Sequence, residues 1–471
     1  MRAIVSINSR EFKSSKSFFQ LIFCIGGLSL VACSSGGGGG DSDDEDEDYY
    51  RVAQVSASSG DHTCARLENG RVKCWGYNSH GQLGLGDFAT RGNASGDMGN
   101  ELPMVNLGSG RTAVSIVTGQ THTCVVLDND ELKCWGSNDA GKLGLGDTVD
   151  RGDDLNEMGD DLPAVDLGTN RTAVQVTAGQ YHTCARLDNA QVKCWGWNDE
   201  GQLGIGDDDR RGDGPGEMGN NLPAIDLGTG RTAAQIAAGH DHTCAILDNG
   251  TVKCWGANWG GQLGYGNIVN RGDNPGEMGD SLPAVDLGSG RTAVAIDGGY
   301  GYTCALLDND QIKCWGDNDA GQLGLGDTDR RGNGPGEMGD DLPTIDLGAG
   351  RTVVAFTAGI HHVCARLDNN RLKCWGYNAN YGSLGLGDMD NRGDDADEMG
   401  DNLPFVNLGS GRTVRAVTAG MIHTCALLDN DKVKCWGHGA DGELGLGDLD
   451  NRGDDPGEMG DELPAVNLGA P

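Results

Sequence analysis

The sequence predicts an all-β protein built from seven copies of one unit, with four short strands in each copy. The stretch "HTCARLDNAQVKCWG" (182–196) recurs seven times in near-identical form, at steps of 60 residues except for one step of 61. A fixed period of this length is typical of repeat architectures. Short apolar and polar runs alternate within each copy, and no segment has a convincing helical period. We therefore expect almost no helix.

The repeats occupy residues 51–471, and the segment before them differs in composition. The predicted units are residues 51–110, 111–170, 171–230, 231–290, 291–350, 351–411 and 412–471. The extra residue of the sixth unit falls in "YNANYGSLG" (377–385), where other copies are one residue shorter.

Each unit contains four runs with strand character. "RTAVQVTAG", "HTCARL" and "QVKCWG" follow one another from Arg171, and "LPAVDLG" (162–168) is the fourth run of the unit before it. Pro163 begins its run, where the missing N–H does least harm to a sheet. The last such run, "LPAVNLG" (463–469), is expected to complete the blade that begins at Arg51.

The turn between the second and third strands explains a pair of cysteines in every unit. A three-residue connection with a left-handed third position pairs residue 184 with residue 194 across neighbouring strands. Most residues at that third position tolerate a left-handed backbone, and Ala190 is the exception. We therefore predict seven disulfides: Cys64–Cys74, Cys124–Cys134, Cys184–Cys194, Cys244–Cys254, Cys304–Cys314, Cys364–Cys374 and Cys425–Cys435.

Metal binding by cysteine and histidine is the competing interpretation, since a histidine precedes most of the first cysteines by two residues. The fifth unit has Tyr302 in that place and keeps both cysteines. Nine residues between the cysteines are also more than a usual zinc-ligand spacing. The sequence thus favours disulfides, with the histidines as structural hydrogen-bonding groups.

The first 50 residues have the layout of an export signal followed by a tether. Residues 1–32 combine a basic start with an apolar run too short for a spanning helix. "LVAC", ending at Cys33, resembles the lipobox of bacterial lipoproteins, which implies cleavage before Cys33 and its lipidation. An ordinary signal peptide or an uncleaved anchor are the alternatives. Residues 33–50 predict a Gly-rich, acidic tether, and we expect a lipid-anchored protein of the bacterial cell envelope, with Ser34 favouring the outer membrane.

The charge balance argues against nucleic-acid binding. The chain has 70 acidic and 35 basic residues, a formal net charge of −35. Nucleic-acid phosphates require clustered Lys and Arg, which this sequence lacks.

The segment "AGQYHTCARLDNAQVKCWGWNDEGQLGIGD" (178–207) resembles the repeat of the regulator of chromosome condensation family. The resemblance recurs in all seven copies and implies a seven-bladed β-propeller of four-stranded blades, which seven four-stranded units fit. In such a ring the repeated tryptophans, such as Trp195, are expected to pack between blades. Two features depart from the family: the cysteine pairs and a long acidic segment in every unit, such as "RGDGPGEMGNNLP" (211–223).

One face of the propeller is the candidate binding site. Two loops on that face vary between copies, at the pair before each "HTC" and after each "CWG", while the rest of the unit is nearly constant. Drift in exposed loops is the alternative, but it should favour small polar residues over tyrosine and tryptophan. Rigid aromatic residues on variable loops are what a protein-binding surface needs. The predicted partner-binding residues are Tyr77, Tyr181, Trp197, Trp259, Tyr300, Tyr377 and Tyr381.

We accordingly predict a monomeric binding module for an envelope or extracellular protein, or for a glycan, held at the membrane only by its lipid. Family members bind protein partners, among them a secreted β-lactamase inhibitor, so an enzyme inhibitor and a guanine-nucleotide exchange factor are lesser alternatives. The polar groups recur in about seven equivalent places and no nucleophile stands apart, which predicts that the chain is not an enzyme.

The acidic segments suggest a second function. "GDTVDRGDDLNEMGDDLP" (146–163) is rich in carboxylates that could bind calcium in a structural or adhesive protein, although the spacing is not that of an EF-hand. A solvated surface explains the acidity more simply, and the function is predicted to need no cofactor. The recurring "RGD" triplets are read as a feature of the repeat, because two copies have "RGN" instead.

Overall fold

Seven small antiparallel sheets form a closed ring in the computed structural model, which describes residues 50–57 and 60–470. The predicted signal (1–32), Cys33 and the tether up to residue 49 lie outside the described residues. The strands are β1 (Val52–Ser56), β2 (His62–Leu67), β3 (Val72–Gly76), β4 (Ala113–Thr118), β5 (His122–Leu127), β6 (Leu132–Gly136), β7 (Ala173–Ala178), β8 (His182–Leu187), β9 (Val192–Gly196), β10 (Ala233–Ala238), β11 (His242–Leu247), β12 (Val252–Gly256), β13 (Ala293–Gly298), β14 (Tyr302–Leu307), β15 (Ile312–Gly316), β16 (Val353–Ala358), β17 (His362–Leu367), β18 (Leu372–Gly376), β19 (Val414–Ala419), β20 (His423–Leu428) and β21 (Val433–Gly437).

Helix is limited to short 3₁₀ turns in the described part of the chain. They are Asp139–Gly141, Gly159–Asp161, Gly219–Asn221, Gly279–Ser281, Gly339–Asp341 and Gly400–Asn402. Within residues 50–57 and 60–470, no helix has the length and apolar character needed to cross a bilayer. The predicted all-β class is confirmed.

Each repeat contributes one sheet, in which the three strands lie in chain order. Cys184 faces Cys194 across β8 and β9, and all seven predicted disulfides are present, one per blade, with Cα atoms 4.1 Å apart. The third turn residue is left-handed throughout, including Ala190 at φ +63°. The hairpin geometry inferred from the sequence is therefore confirmed.

The fourth predicted strand is wrong in detail, because each blade has three strands. "LPAVDLG" (162–168) is extended beside β6 and makes one main-chain bond to it, from the Val165 N–H to the Leu132 carbonyl (2.8 Å). Its later carbonyls are used by the next repeat: Gly219 N–H donates to Asp166 (2.9 Å), and Lys193 Nζ donates to Leu167 (3.1 Å). A segment that shares its carbonyls between two blades cannot form a regular ladder.

The ring closes with the same contacts that join other neighbouring repeats. "LPAVNLG" (463–469) stays at the edge of its own repeat, where the Val466 N–H donates to the Val433 carbonyl (2.8 Å), so the expectation that it completes the first blade is wrong. It reaches the first repeat through the Asn467 carbonyl, which accepts from Gly99 N–H (2.9 Å), and the Leu468 carbonyl, which accepts from Lys73 Nζ (2.8 Å). We call this contact between the seventh and first repeats the ring seam.

The first repeat differs from the others in the alignment of its inner strand. Val52 pairs with Leu67 in β1 and β2, as Ala113 pairs with Leu127 in β4 and β5. Arg51 therefore aligns with the threonine that follows the repeated arginine in the other units. The unit boundaries predicted from the sequence align it with that arginine instead.

The hydrophobic core lies between the repeats. Seven clusters of buried side chains each combine residues of two neighbouring repeats, and one of them crosses the ring seam. Trp255 is fully buried in one cluster, and its Nε1–H donates to the Gln202 carbonyl of the preceding repeat (3.1 Å). The repeated tryptophans are thus packed between blades, as the sequence predicts.

A belt of side-chain hydrogen bonds also joins the repeats. His182 Nε2 lies 3.0 Å from Thr243 Oγ1 of the next repeat, and Thr243 donates in turn to the Gln202 carbonyl (2.9 Å). We call these histidine–threonine pairs the interrepeat belt: His62–Thr123, His122–Thr183, His182–Thr243, His242–Thr303, His362–Thr424 and His423–Thr63. The histidines are structural groups, and metal binding by cysteine and histidine is excluded because the cysteines are in disulfides.

Both members of the belt change together at the fifth repeat. Tyr302 replaces the histidine, and Val363 stands where the next repeat would have threonine. The Tyr302 hydroxyl lies within hydrogen-bond distance of the Gly359 and His362 carbonyls (2.8 and 2.9 Å) instead. The junction therefore exchanges one complete hydrogen-bond arrangement for another.

Candidate protein-binding face

The two variable loops of each repeat are tied side by side. The first residue after "CWG" donates its N–H to the carbonyl of the residue before the belt position, as Trp197 does to Tyr181 (2.9 Å). The same bond joins Tyr77 to Asp61, Ser137 to Thr121, Ala257 to Asp241, Asp317 to Gly301, Tyr377 to His361 and His438 to Ile422. The backbone is thus constant while both side chains vary, and together these loops form what we call the aromatic face.

Aromatic rings gather around Tyr300 on this face. Its ring centroid lies 5.1 Å from that of Trp259, 4.5 Å from that of His240 and 5.5 Å from that of His361, which is followed by Tyr377 at 6.2 Å. These distances suit tilted and edge-to-face packing. The rings hold one another in place before any partner arrives.

An open cleft of about 820 Å³ lies among these rings, and we call it the aromatic cleft. Four of the seven aromatic residues predicted from the sequence line it: Trp259, Tyr300, Tyr377 and Tyr381. The loops of the fourth to seventh repeats are therefore brought together at one place.

The other three predicted residues lie outside the cleft. Tyr181 and Trp197 form a separate pair with ring centroids 6.0 Å apart, and the Arg210 guanidinium stacks 3.7 Å from the Trp197 ring. Tyr77, 37% exposed, belongs to the first repeat. The structure thus divides the predicted residues into a cleft, a pair and a single residue.

Histidines contribute to the face, and sequence reasoning did not include them among the binding residues. His240 and His361 occupy the variable pair before the belt position, and His438 packs edge-on against Tyr381 (4.9 Å). Burial lowers the pKa of His361, which favours the neutral form of its ring. The sequence signal that could have identified these histidines is that they occupy positions that vary between copies.

One ion-pair network lies at the edge of the cleft. Arg330 Nε lies 2.8 Å from Asp317 Oδ1, and Arg330 Nη2 lies 3.2 Å from Asp319 Oδ2. Burial raises the pKa of the Asp317 carboxyl, although the Arg330 charge opposes this. The cleft therefore offers both signs of charge beside a mainly apolar wall.

The acidic segments largely satisfy donors of the protein itself. Asp147 forms an ion pair with Arg151 (2.8 Å), and Glu157 Oε2 accepts from the N–H groups of Gly152 and Asp154 (2.9 and 3.1 Å). Carboxylates that accept such bonds stabilise the loop that carries them.

The "RGD" triplets are part of the packing between repeats. The Gly152 carbonyl accepts from the Gly86 N–H of the preceding repeat (2.9 Å), and Arg151 forms a bridge with Gly136 in its own sheet. These contacts account for the triplet as a docking element of the ring.

Sequence comparison places the repeat in a known family. A family model described as "Regulator of chromosome condensation (RCC1) repeat" matches residues 52–82, 113–142, 173–202, 233–262, 293–322, 353–382 and 414–443. A second model of the same description matches 69–126, 131–186 and 191–246. The chain belongs to the regulator of chromosome condensation repeat family. Its fold is that of an RCC1-repeat propeller.

Similar curated proteins share the repeat region. The ultraviolet-B receptor UVR8 of Arabidopsis thaliana is 29% identical over 72% of this chain and 68% of its own length. The probable E3 ubiquitin-protein ligase HERC6 of Homo sapiens is 31% identical over 64% of this chain, which spans only 27% of that protein. The match to that ligase therefore gives no evidence about catalysis by this chain, and the absence of an enzyme activity stays a prediction.

Similar solved structures establish the fold alone. Human WBSCR16 matches with a TM-score of 0.60 and 19% identity, covering 84% of this chain and 93% of that one. Prp20p of Saccharomyces cerevisiae, a structure described with its binding to Gsp1p and histones, matches with a TM-score of 0.60 and 20% identity, covering 89% and 87%. The predicted RCC1-like propeller is confirmed.

Proposed function

We propose that this propeller is anchored to the bacterial cell envelope and binds an envelope or extracellular protein through its aromatic face. The observation that carries the proposal is the aromatic cleft, where rings from several variable loops lie around one opening. Protein-binding hot spots are enriched in tyrosine, tryptophan and arginine. The constant framework would then present a specific surface through a small number of variable positions.

Preorganisation supports this use of the face. Tyr300 is held by Trp259, His240 and His361, so binding costs little side-chain entropy. Met421 and Ile422 add apolar surface beside the rings. The cleft suits the insertion of an apolar or cationic side chain, because aromatic faces attract cations.

The charge of the chain favours a basic partner. A formal net charge of −35 repels acidic proteins and speeds encounter with basic ones at low salt. We therefore expect the partner to present lysine or arginine around the residue that enters the cleft.

Anchoring would come from Cys33 and the acidic tether. A lipid on Cys33 holds the chain at the membrane, and the like charges of residues 41–48 extend the segment between lipid and propeller. Replacing Cys33 with serine should release the mature protein from membranes, which fractionation of the producing cells would measure.

Affinity capture tests the binding face. The bait is residues 33–471 with Cys33→Ser, beside a variant that also carries Trp259→Ala, Tyr300→Ala and Tyr377→Ala. A matched control carries three alanines for turn asparagines on the opposite face, at Asn129, Asn189 and Asn249. A protein retained by the bait and the control but lost by the cleft variant supports the proposal.

The same captured set by all three baits would overturn it. A glycan array with the same three proteins separates the glycan alternative from a protein partner. Calorimetry first establishes that each variant keeps the folded state of the bait.

A calcium-loaded structural protein is the second candidate. Its specific support is Asp153, whose buried Oδ1 has no hydrogen-bond partner within the described chain and whose pKa is raised to about 6 by burial and by the neighbouring Glu157. Asp273 and Asp394 repeat this arrangement. If calcium is structural, a chelator should lower the melting temperature substantially; binding through the aromatic face predicts almost no change.

A further inference from the structure

Three potential metal ligands meet at the ring seam. Asp61 belongs to the first repeat, while His438 and Glu443 belong to the seventh. One ligand atom from each, a histidine nitrogen and two carboxylate oxygens, lie within 4.8 Å of one another. The Glu443 side chain is 0% exposed, and that of His438 is 15% exposed.

The hydrogen bonds of the protein do not complete this cluster. His438 Nδ1 contacts Glu443 Oε1, but Asp61 Oδ1 is inaccessible to solvent and has no hydrogen-bond partner in the described chain. A buried carboxylate oxygen without a partner is costly, and a divalent cation would satisfy it.

Glu443 accepts a backbone hydrogen bond that a neutral glutamine accepts in other repeats, so its charge is not needed for that bond. Gln82 Oε1 accepts the N–H of His80 (2.9 Å), and Gln322 Oε1 accepts that of Ala320 (2.9 Å). Glu443 Oε2 makes the equivalent bond to the N–H of Asp441 (2.9 Å). Its second oxygen is not needed for that bond and contacts His438.

The seam is also the place where all three residue types coincide. The fourth repeat has an aspartate at the position of Asp61, but Asp241 is paired with its neighbour His240 (2.6 Å). The positions that correspond to His438 and Glu443 at that junction hold Trp197 and Gln202. A carboxylate alone thus finds a local partner, whereas the seam assembles a complete ligand set.

We propose that Asp61, His438 and Glu443 bind one divalent transition-metal ion, with zinc as the best fit, which links the seventh repeat to the first. One imidazole and two carboxylates match the nitrogen and oxygen ligands of zinc and leave a fourth position for water. Calcium and magnesium prefer all-oxygen sites with more ligands. In the bound state the ion replaces the direct contact between His438 and Glu443.

Such an ion would reinforce the junction that brings the two ends of the ring together. Each disulfide stays within one hairpin, so none of the seven joins two repeats. A metal that binds only the closed ring stabilises it by mass action.

Zinc titration of the untagged chain from Cys33→Ser to Pro471 tests the site, after treatment with a chelator and with the disulfides intact. We expect one zinc per chain by calorimetry and elemental analysis, a higher melting temperature with zinc, and no comparable effect of calcium or magnesium. Glu443→Gln introduces the residue that four other repeats carry, and His438→Tyr introduces that of the first repeat. Each should fold and weaken zinc binding on the order of 100-fold.

His240→Ala is the matched control, because it removes a half-buried histidine of the same face but not of this site. It should bind zinc as the parent chain does. Absence of stoichiometric zinc binding, or equal affinity in the parent chain and Glu443→Gln, would overturn the proposal. Preferential calcium binding that is lost in Glu443→Gln would overturn the assignment to a transition metal.

Discussion

The interrepeat belt and the aromatic face are adjacent in the chain and differ sharply in how much they vary. His182 is identical to its counterparts in five other repeats, whereas Tyr181, the residue before it, has no identical counterpart in any other repeat. The His182 side chain is buried with a hydrogen bond to Thr243, while the hydrogen bond that ties Tyr181 to the neighbouring loop is made by its backbone carbonyl. A residue whose side chain has a buried hydrogen-bond partner cannot change alone. A residue whose hydrogen bonds are made by its backbone can change its side chain freely.

The fifth junction shows that this constraint acts on pairs. Tyr302 and Val363 depart from the repeat together, and the tyrosine hydroxyl finds new carbonyl acceptors. The belt therefore tolerates a second arrangement as long as both partners change.

The largest expected difference is between two tryptophans four positions apart. Trp255→Ala removes a fully buried indole between blades and should lower the free energy of unfolding by about 3–5 kcal/mol. Trp259→Ala, on the aromatic face with 39% exposure, should cost less than about 1 kcal/mol. Chemical denaturation of both variants measures the contrast, and equal losses would contradict the division into framework and binding face.

Breaking one pair of the belt should cost about 2–3 kcal/mol. Thr243→Val leaves the buried His182 N–H without its acceptor and removes one of the two donors to the Gln202 carbonyl, which keeps the Trp255 indole N–H. The double variant His182→Tyr with Thr243→Val copies the fifth junction and should recover most of that loss, because Gly239 is present as the acceptor. Additive losses in the double variant would show that the junctions are not interchangeable.

Acid should destabilise the belt but not its tyrosine version. Burial lowers the pKa of His182 to about 4, and that of His62 to about 3, below the ordinary value of 6.5. The unfolded chain therefore takes up protons first, and stability falls as pH decreases from about 6.5 towards 4. Each histidine should contribute about 2 kcal/mol between pH 7 and pH 5.

The double variant of His182 and Thr243 isolates one of these contributions. Its free energy of unfolding should fall by about 2 kcal/mol less than that of the parent chain over the same pH range. Identical pH dependence in the two proteins would mean that His182 does not titrate in this window.

The smallest expected effect is at the hairpin turns. Ala190 adopts φ +63°, where other repeats place glycine, asparagine or aspartate. Ala190→Gly should raise the free energy of unfolding by up to about 1 kcal/mol, because glycine has no Cβ to strain in this region. Gly250→Ala in the next repeat is the reverse test and should lower stability by a similar or larger amount, as measured by thermal unfolding.

Local features were predictable from the sequence because their partners are close in the chain. The disulfide of Cys184 and Cys194 follows from ten residues and a turn, and the repeat period predicts the ring. The number of strands per blade was predicted wrongly, because the carbonyls of Asp166 and Leu167 accept hydrogen bonds from the following repeat. The alternation of apolar and polar residues along a strand gives no information about such a contact.

The binding face was predictable as a set of positions but not as a shape. Variation between copies identified Trp259 and Tyr300, yet their grouping with His361 depends on how neighbouring blades meet. The cluster at the ring seam could not be predicted from the sequence, because Asp61 and Glu443 are far apart in the chain and meet only when the ring closes. The signal sequence, lipidation and tether stay predictions.

The spacing of the disulfides has a consequence for how they form. The first cysteine of each pair bonds to the next one along the chain, only ten positions later. If the chain is exported as we propose, each pair is complete before the first cysteine of the next pair emerges. Oxidation in order of appearance therefore yields the native pairing, and maturation should make little demand on disulfide isomerases.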